Sequence, residues 1–256
     1  MQTIGVFDSG MGGLSLLAEL LARLPDRDFV YLADNASVPY GNRSPREIRA
    51  LAARCADFLI GRNAQGLVVA CNTVTGACVR ELRETLSLPV AGVEPAIKPA
   101  VEAFGDRIGV LATRATLNCP KFRTLLEHLG KERFHLFPSA DLAKAVEDSF
   151  GTGDPTAAIA SCLEPVQKAQ LSCLVLGCTH YVLVQKEIEN LVGVPTLHGN
   201  RGVAEQVARR FGPPIAGRTG GFDLFVTRPN TLSRYRAAIR ALGIEPLLQS
   251  AEEVSL

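Results

Sequence analysis

Residues 66–73 read GLVVACNT, and residues 172–179 read SCLVLGCT. Each stretch contains an apolar run, a small residue, a cysteine and a polar residue that can begin a helix. A short apolar run bounded in this way is typical of a buried parallel strand that leads into a helix. The two stretches predict two similar α/β units, each of which places one thiol, Cys71 or Cys178, at a strand end.

The alternation of strand and helix extends along the whole chain. Short apolar runs predict strands at Thr3–Phe7, Phe29–Leu32, Gly66–Ala70, Val90–Val93, Arg107–Ala112, Arg133–Phe137, Cys173–Leu176 and Asp223–Val226. Amphipathic stretches predict helices at Leu14–Leu24, Ile48–Phe58, Val79–Leu86, Ile159–Val166, Val203–Phe211 and Leu232–Leu242. Alternating strands and helices predict βαβ units, and hence an α/β fold built on mainly parallel sheets with helices on both faces.

The composition narrows the class of protein. The chain has 256 residues, which is enough for two small domains. Its formal net charge is +1, and no basic stripe predicts a nucleic-acid partner. No apolar run is long enough to span a bilayer, and the start MQTIGVFDSG lacks the features of a signal peptide. We therefore expect a cytoplasmic protein with no membrane partner.

Seven cysteines without a C-x2-C pair argue against both a disulfide framework and a zinc ribbon. The histidines also lack the spacing of metal ligands, so no metal site is predicted. Cysteine often behaves as a small core residue. That interpretation is assigned to Cys55, Cys78, Cys162 and Cys173, and Cys119 stays open between the two interpretations.

Residues that follow the strands are the candidate site residues, because ligands bind at the carboxyl ends of strands in parallel sheets. The glycine-rich turn Asp8–Gly13 could hold a phosphate, but it lacks the nucleotide-binding spacings. Its glycines are therefore interpreted as a tight turn that requires glycine for its backbone geometry. The other polar strand ends are Pro39–Gly41, Cys71–Thr73 and Cys178–His180.

Paired thiols suit one kind of chemistry in particular. A helix N-terminus stabilises an anion by ~0.3–1 kcal/mol, and one pKa unit corresponds to ~1.4 kcal/mol. The helix end alone therefore lowers the pKa of a thiol by less than one unit, and each thiol needs a helper. Asp8 and His180 are the candidates. Two similar acid–base groups on opposite sides of a pocket suit racemisation, because one removes a proton while the other delivers one.

Five segments, in order, resemble the glutamate racemases: Phe7–Gly13, Pro39–Gly41, Cys71–Thr73, Gly92–Ala96 and Leu176–Tyr181. The resemblance implies interconversion of L- and D-glutamate without pyridoxal phosphate, metal or any other cofactor, which supplies D-glutamate for peptidoglycan synthesis. It implies two doubly wound, pseudo-symmetric domains that face each other across the active site. The expected domains are 1–94 with 209–256, and 95–208, and a homodimer is expected.

The resemblance also implies roles for individual residues. Cys71 and Cys178 match the catalytic cysteines, Asp8 matches the group that assists the first, and His180 the group that assists the second. Glu147 matches the helper glutamate of the family. The residues that match the substrate-binding groups are Asp8, Ser9, Pro39, Tyr40, Gly41, Asn72, Thr73, Thr179 and His180.

Three departures from the family pattern leave alternatives open. Val182 stands where proline is usual, and Val226–Pro229 differs from the usual Thr-[Ser/Thr]-Gly. His198 stands where aspartate is usual, at the end of a further expected strand, Pro195–His198. One alternative is a related racemase that acts on aspartate or a hydantoin. A second is a family member that binds a ligand without catalysis. A third is a redox pair of thiols, which requires Cα atoms within ~7 Å.

Overall fold

The computed structural model describes residues 3–139, 141–151, 153, 156–212 and 217–256. In these ranges the strands β1 to β10 span Thr3–Asp8, Asp28–Ala33, Ala64–Val69, Val90–Gly92, Ile108–Ala112, Phe134–Pro138, Cys173–Gly177, Thr196–Leu197, Phe222–Val226 and Leu248–Glu253. The helices α1 to α12 span Leu14–Arg23, Pro45–Gly61, Asn72–Thr85, Ile97–Phe104, Arg114–Asn118, Pro120–Leu129, Asp141–Ser149, Thr156–Gln167, Thr179–Val182, Gln185–Val192, Asn200–Phe211 and Leu232–Ala241.

The strands form two sheets that confirm the predicted α/β fold. The first sheet has the order β10-β9-β2-β1-β3-β4, and the second has the order β6-β5-β7-β8. Each strand pairing within the described ranges is parallel. Parallel sheets need cover on both faces, and the helices between successive strands provide it.

The two sheets repeat one strand order. In β2-β1-β3-β4 and in β6-β5-β7-β8, the first strand of the set lies between the second and the third. Cys71 follows β3 and Cys178 follows β7, so both cysteines follow the third strand of their set. In each sheet this strand end adjoins the point where the strand order reverses, which is where open α/β sheets bind ligands. The two similar stretches, GLVVACNT and SCLVLGCT, therefore occupy topologically equivalent positions.

A shared apolar core joins the two sheets. One cluster of buried side chains runs from Val6 and Leu17 beside the first sheet to Leu174 beside the second. Helix α1 packs against α11, which follows the last strand of the second sheet. Separate clusters cover the outer faces of the two sheets. One continuous cluster of buried apolar side chains therefore lies beneath the strand ends of both sheets.

One strand and several helices of the structure were not predicted from the sequence. Strand β10 carries the polar sequence LQSAEE at the edge of the first sheet, where charged side chains are common because they discourage further strand pairing. The helices without a prediction include α4, α5, α7 and α10, whereas the helix expected directly after Cys178 is present as the short α9. Strands of the first sheet lie within 3–92 and 222–253, and those of the second lie within 108–197. The domain limits at 94 and 208 stay predictions.

The core interpretation of several cysteines is confirmed. Cys55, Cys78 and Cys173 are buried, and Cys162 is half-buried against the apolar cluster shared by the two sheets. All seven cysteines are free thiols. Among the described residues, no helix combines the length and the apolar character that crossing a bilayer requires.

Candidate active site

The carboxyl ends of the strands enclose a small cavity, whose free volume is about 10 Å³. Both Cys71 and Cys178 line it, and so does every residue that was predicted to bind the substrate. Glu147 is the exception among the predicted site residues, since it lies behind His180 rather than on the wall. The structure adds three residues that sequence reasoning missed: Val38, Thr113 and Ala143.

Asp8 ends β1 and is almost fully buried. Its Oδ1 accepts a hydrogen bond from the backbone N–H of Ser9 at 2.7 Å, and its Oδ2 accepts from the N–H of Gly13 at 2.5 Å. The hydroxyl of Thr179 donates to Oδ2 at 3.0 Å. Burial raises the pKa of Asp8, although the charge of His180 and these hydrogen bonds lower it in part.

The glycines of the Asp8–Gly13 turn permit close approach of the second sheet. Gly10 and Gly12 do not have positive φ angles, so the expected requirement for a special backbone geometry is wrong at these positions. A Cβ at Gly10 would instead collide with the carboxylate of Glu147 and lie 2.8 Å from His180 Nε2. A Cβ at Gly12 would collide with the backbone of His180. Glycine is needed here because His180 packs directly on the turn.

Cys71 precedes α3 and is buried beside the Asp8–Ser9 corner. Its Sγ lies 3.7 Å from Ser9 Oγ, which in turn lies 3.4 Å from Asp8 Oδ1. Burial raises the pKa of the Cys71 thiol well above its ordinary value, and the negative charge of Asp8 raises it further. The backbone N–H of Val74 opposes this shift without cancelling it. The thiol therefore holds its proton at neutral pH.

Cys178 precedes α9, and a different helper stands beside it. Its Sγ lies 3.9 Å from His180 Nδ1. The other ring nitrogen, Nε2, lies 2.9 Å from Glu147 Oε2. Burial lowers the pKa of His180, but hydrogen bonds to Cys178 and Glu147 and the nearby negative charges outweigh it, so the pKa is raised well above its ordinary value. The imidazole is thus protonated between a sulfur and a carboxylate.

Glu147 is held by donors from several elements. Besides His180, the backbone N–H of Met11 donates to Oε2 at 2.8 Å, and the hydroxyl of Tyr235 donates to Oε1 at 2.6 Å. Each carboxylate oxygen therefore has a partner, although the side chain is almost completely buried. Tyr235 lies on α12, far along the chain, and no sequence motif pointed to it.

A line of threonine hydroxyls also connects the two sheets beside the cavity. Thr73 Oγ1 lies 3.0 Å from Thr113 Oγ1, which lies 3.1 Å from Thr116 Oγ1. Thr113 directly follows β5, at the strand end that corresponds to Asp8, the last residue of β1. Thr113 could have been identified from the sequence, because the strand Arg107–Ala112 was predicted and Thr113 is the first residue after it.

Tyr40 lines the cavity, but its hydroxyl is already bound. It donates to Asp34 Oδ2 at 2.5 Å. The other oxygen of Asp34 accepts a hydrogen bond from Thr227 Oγ1 at 3.0 Å. The loops after β2 and β9 therefore hold the Pro39–Gly41 segment beside the cavity.

The sequence model of the Asp/Glu/Hydantoin racemase family matches residues 4–207. The chain belongs to this family. It is 38% identical over 213 residues to the glutamate racemase of Clostridium perfringens, covering 81% of this chain and 82% of the relative. The homologues indicate an amino-acid racemase, which is an isomerase.

Two solved structures of glutamate racemases match almost the whole racemase chain. The enzyme of Escherichia coli, solved with L-glutamate and the activator UDP-MurNAc-ala, has a TM-score of 0.86 at 27% identity, covering 99% of this chain and 98% of the other. An isoform from Bacillus anthracis has a TM-score of 0.81 at 30% identity, covering 100% and 98%.

The departures from the racemase pattern lie away from the cavity. Neither Val182 nor His198 is on its wall. His198 is half-buried, and burial lowers its pKa. In the Val226–Pro229 segment, the backbone N–H groups of Thr227 and Arg228 both donate to Asn35 Oδ1. This segment therefore supports the loop after β2 and contributes no group to the cavity.

Proposed function

We propose that the protein interconverts L- and D-glutamate by a two-base mechanism in which Cys71 and Cys178 act on opposite faces of the α-carbon. The observation that carries the proposal is that both thiols line one cavity at topologically equivalent strand ends. Enantiomers have equal free energy, so an enzyme that interconverts them needs an acid–base group for each face. A hydrolase or a transferase has no comparable need for two such thiols.

In the proposed reaction, a thiolate on one face removes the α-proton, and the opposite thiol then delivers its own proton to the other face. With protonated His180 beside it, Cys178 serves as the base for one enantiomer. The protonated thiol of Cys71 supplies the proton on the other face. After the transfer, Cys178 holds a proton and Cys71 is the thiolate, which is the state required by the reverse direction.

The substrate assignment rests on charge and on the relatives. A cleft that shares Gly41 and Thr73 with the cavity is lined by Arg43, Arg49 and Arg114. Arg43 and Arg49 also form ion pairs with Glu47 and Glu81, so the cleft beside the cavity has a partly neutralised cationic wall, to which Arg114 contributes. Such a wall attracts an acidic substrate. Short hydroxyls and backbone N–H groups inside the cavity can bind carboxylates by charge-assisted hydrogen bonds. These features suit a dicarboxylic amino acid better than a neutral hydantoin.

Turnover of glutamate and of aspartate, each followed by polarimetry without added cofactor, tests this assignment. We expect glutamate to be racemised faster. Faster racemisation of aspartate would overturn the substrate assignment while leaving the two-thiol mechanism intact. Absence of turnover with both amino acids would favour a family member that binds without catalysis.

The proposed activity also sets the cellular context. D-glutamate made in this way would supply peptidoglycan synthesis in the cytoplasm, where a reducing environment keeps free thiols such as the seven in this chain reduced. We propose a homodimer in solution, and light scattering combined with size exclusion measures that state directly.

A further inference from the structure

We propose that Tyr235 is a positioning residue for the Cys178 side of the site: its hydroxyl fixes the Glu147 carboxylate from the opposite sheet, so the chain Glu147–His180–Cys178 is complete only when the two sheets are closed on each other. This inference rests on the proposed racemase function. Tyr235 does not line the cavity, so it acts through Glu147 and not on the substrate.

The hydrogen bonds of Glu147 cross between the two sheets. Glu147 on α7 and His180 on α9 belong to the stretch of chain that carries the second sheet. Met11 follows β1, and Tyr235 lies on α12 between two strands of the first sheet. Two of the three donors to the carboxylate thus come from the side opposite to the glutamate.

Burial makes this arrangement energetically important. Tyr235 is fully buried and Glu147 is 3% exposed, so solvent cannot replace a missing donor in the closed state. A buried carboxylate is costly unless hydrogen bonds compensate for its lost hydration. If the sheets separated, Glu147 would keep only His180 among these donors. The carboxylate that orients the imidazole would then be free to turn toward water.

The hydroxyl of Tyr235 acts as a hydrogen-bond donor to the carboxylate of Glu147. Burial raises the pKa of this phenol well above its ordinary value, and the negative charge of Glu147 raises it further, so the hydroxyl keeps its proton. The other titratable groups that face Glu147 are His180 on α9 and Tyr31 on β2, with Asp8 beyond them at the end of β1. Tyr31 donates to the carbonyl of Gly10 at 2.7 Å and does not donate to Glu147.

Tyr235→Phe removes one oxygen and retains the ring, which makes it a suitable test. A hydrogen bond to a charged group contributes enough that we expect kcat/KM to fall about ten-fold. The two enantiomers must show equal losses in kcat/KM, because the equilibrium constant between them is one. The loss alone therefore does not identify the affected side of the site.

The affected side of the site is identified by the isotope effects on kcat/KM, measured with α-deuterated D- and L-glutamate. The variant weakens only proton transfer at Cys178, so that transfer becomes more rate-limiting. We expect the substrate isotope effect to rise for the enantiomer that Cys178 deprotonates and to fall for the other. A general packing defect would leave the two isotope effects as they are in the wild type.

Two comparisons complete the test. Tyr31→Phe is the matched control, since it also removes a buried phenol oxygen beside the same turn, and it should not shift the two isotope effects in opposite directions.

In a Glu147→Ala background, Tyr235→Phe should cause no further loss of activity. Unchanged isotope effects in Tyr235→Phe, or a full additional loss in that background, would overturn the role of Tyr235. Failure of the wild type to racemise glutamate would instead overturn the proposed function.

Discussion

Asp8 Oδ2 accepts a 3.0 Å hydrogen bond from the hydroxyl of Thr179, although Asp8 ends a strand of the first sheet and Thr179 follows a strand of the second. The carboxylate that stands near Cys71 thus also holds the residue directly after Cys178. The two halves of the site are therefore mechanically linked at Asp8, in addition to the link at Glu147.

Thr179→Val tests the link at Asp8. The substitution keeps the shape of the side chain and removes the hydroxyl, so the buried carboxylate loses one donor. A hydrogen bond to a charged group is worth about 1.5–3 kcal/mol, which corresponds to a loss of roughly ten- to a hundred-fold in kcat. Thr179→Ser retains the hydroxyl and should stay close to the wild type. Equal activity of the Val and Ser variants would show that the hydroxyl has no role in the reaction.

Cys71→Ala and Cys178→Ala should each abolish racemisation while the fold survives. Each variant leaves one face of the α-carbon without an acid–base group. Cys173→Ala is the matched control, because this cysteine is fully buried at the start of β7 and does not line the cavity. Circular dichroism checks the fold, and polarimetry checks the activity. A wild-type rate in either active-site variant would contradict the two-base mechanism.

Gly10→Ala should lower activity strongly, because the added Cβ would displace Glu147 and His180 from the turn. The expected loss is in kcat, since the displaced pair serves the reaction at Cys178. Gly61→Ala is the control: it lies at the exposed end of α2, and its Cβ would meet no atom within 4 Å. Alanine in a helix is favoured over glycine by about 0.5–1 kcal/mol, so this control should be slightly more stable than the wild type. Similar activities of the two variants would refute the close-approach explanation.

The raised pKa of His180 predicts how stability depends on pH. The unfolded histidine titrates near ~6.5, whereas the folded one retains its proton to higher pH. Between these values the folded state binds more protons, so the contribution of His180 is complete below about pH 6.5 and is lost as the pH rises through the folded pKa. Urea unfolding from pH 6 to pH 8 measures this contribution to the free energy of unfolding. The window lies below the ordinary pKa range of thiols.

The matched variants for that measurement are His180→Asn and His128→Asn, the second at an exposed position on α6. The advantage of the wild type over His180→Asn should shrink as the pH rises. Its difference from His128→Asn should stay constant. A constant difference from His180→Asn would show that the imidazole is not stabilised in its charged form.

Much of the fold and the wall of the cavity could be predicted because apolar strands and their polar ends are local features of the sequence. GLVVACNT and SCLVLGCT were sufficient to place Cys71 and Cys178 at equivalent strand ends. The partners of Glu147 were not predictable, because Met11 and Tyr235 reach it from positions 136 and 88 residues away. The role of Gly10 was misjudged for the same reason, since its requirement comes from packing across the sheets and not from its own backbone.

The composition of the first product formed in D2O tests the central claim most directly. Protiated L-glutamate and D-glutamate are each supplied without cofactor, and the opposite enantiomer is analysed by mass spectrometry at early times. Two thiols predict that solvent deuterium occupies the α-position of the inverted product, because the delivering thiol has equilibrated with solvent. Inverted product that retains the original α-proton would show that a single group serves both faces, and would contradict the account.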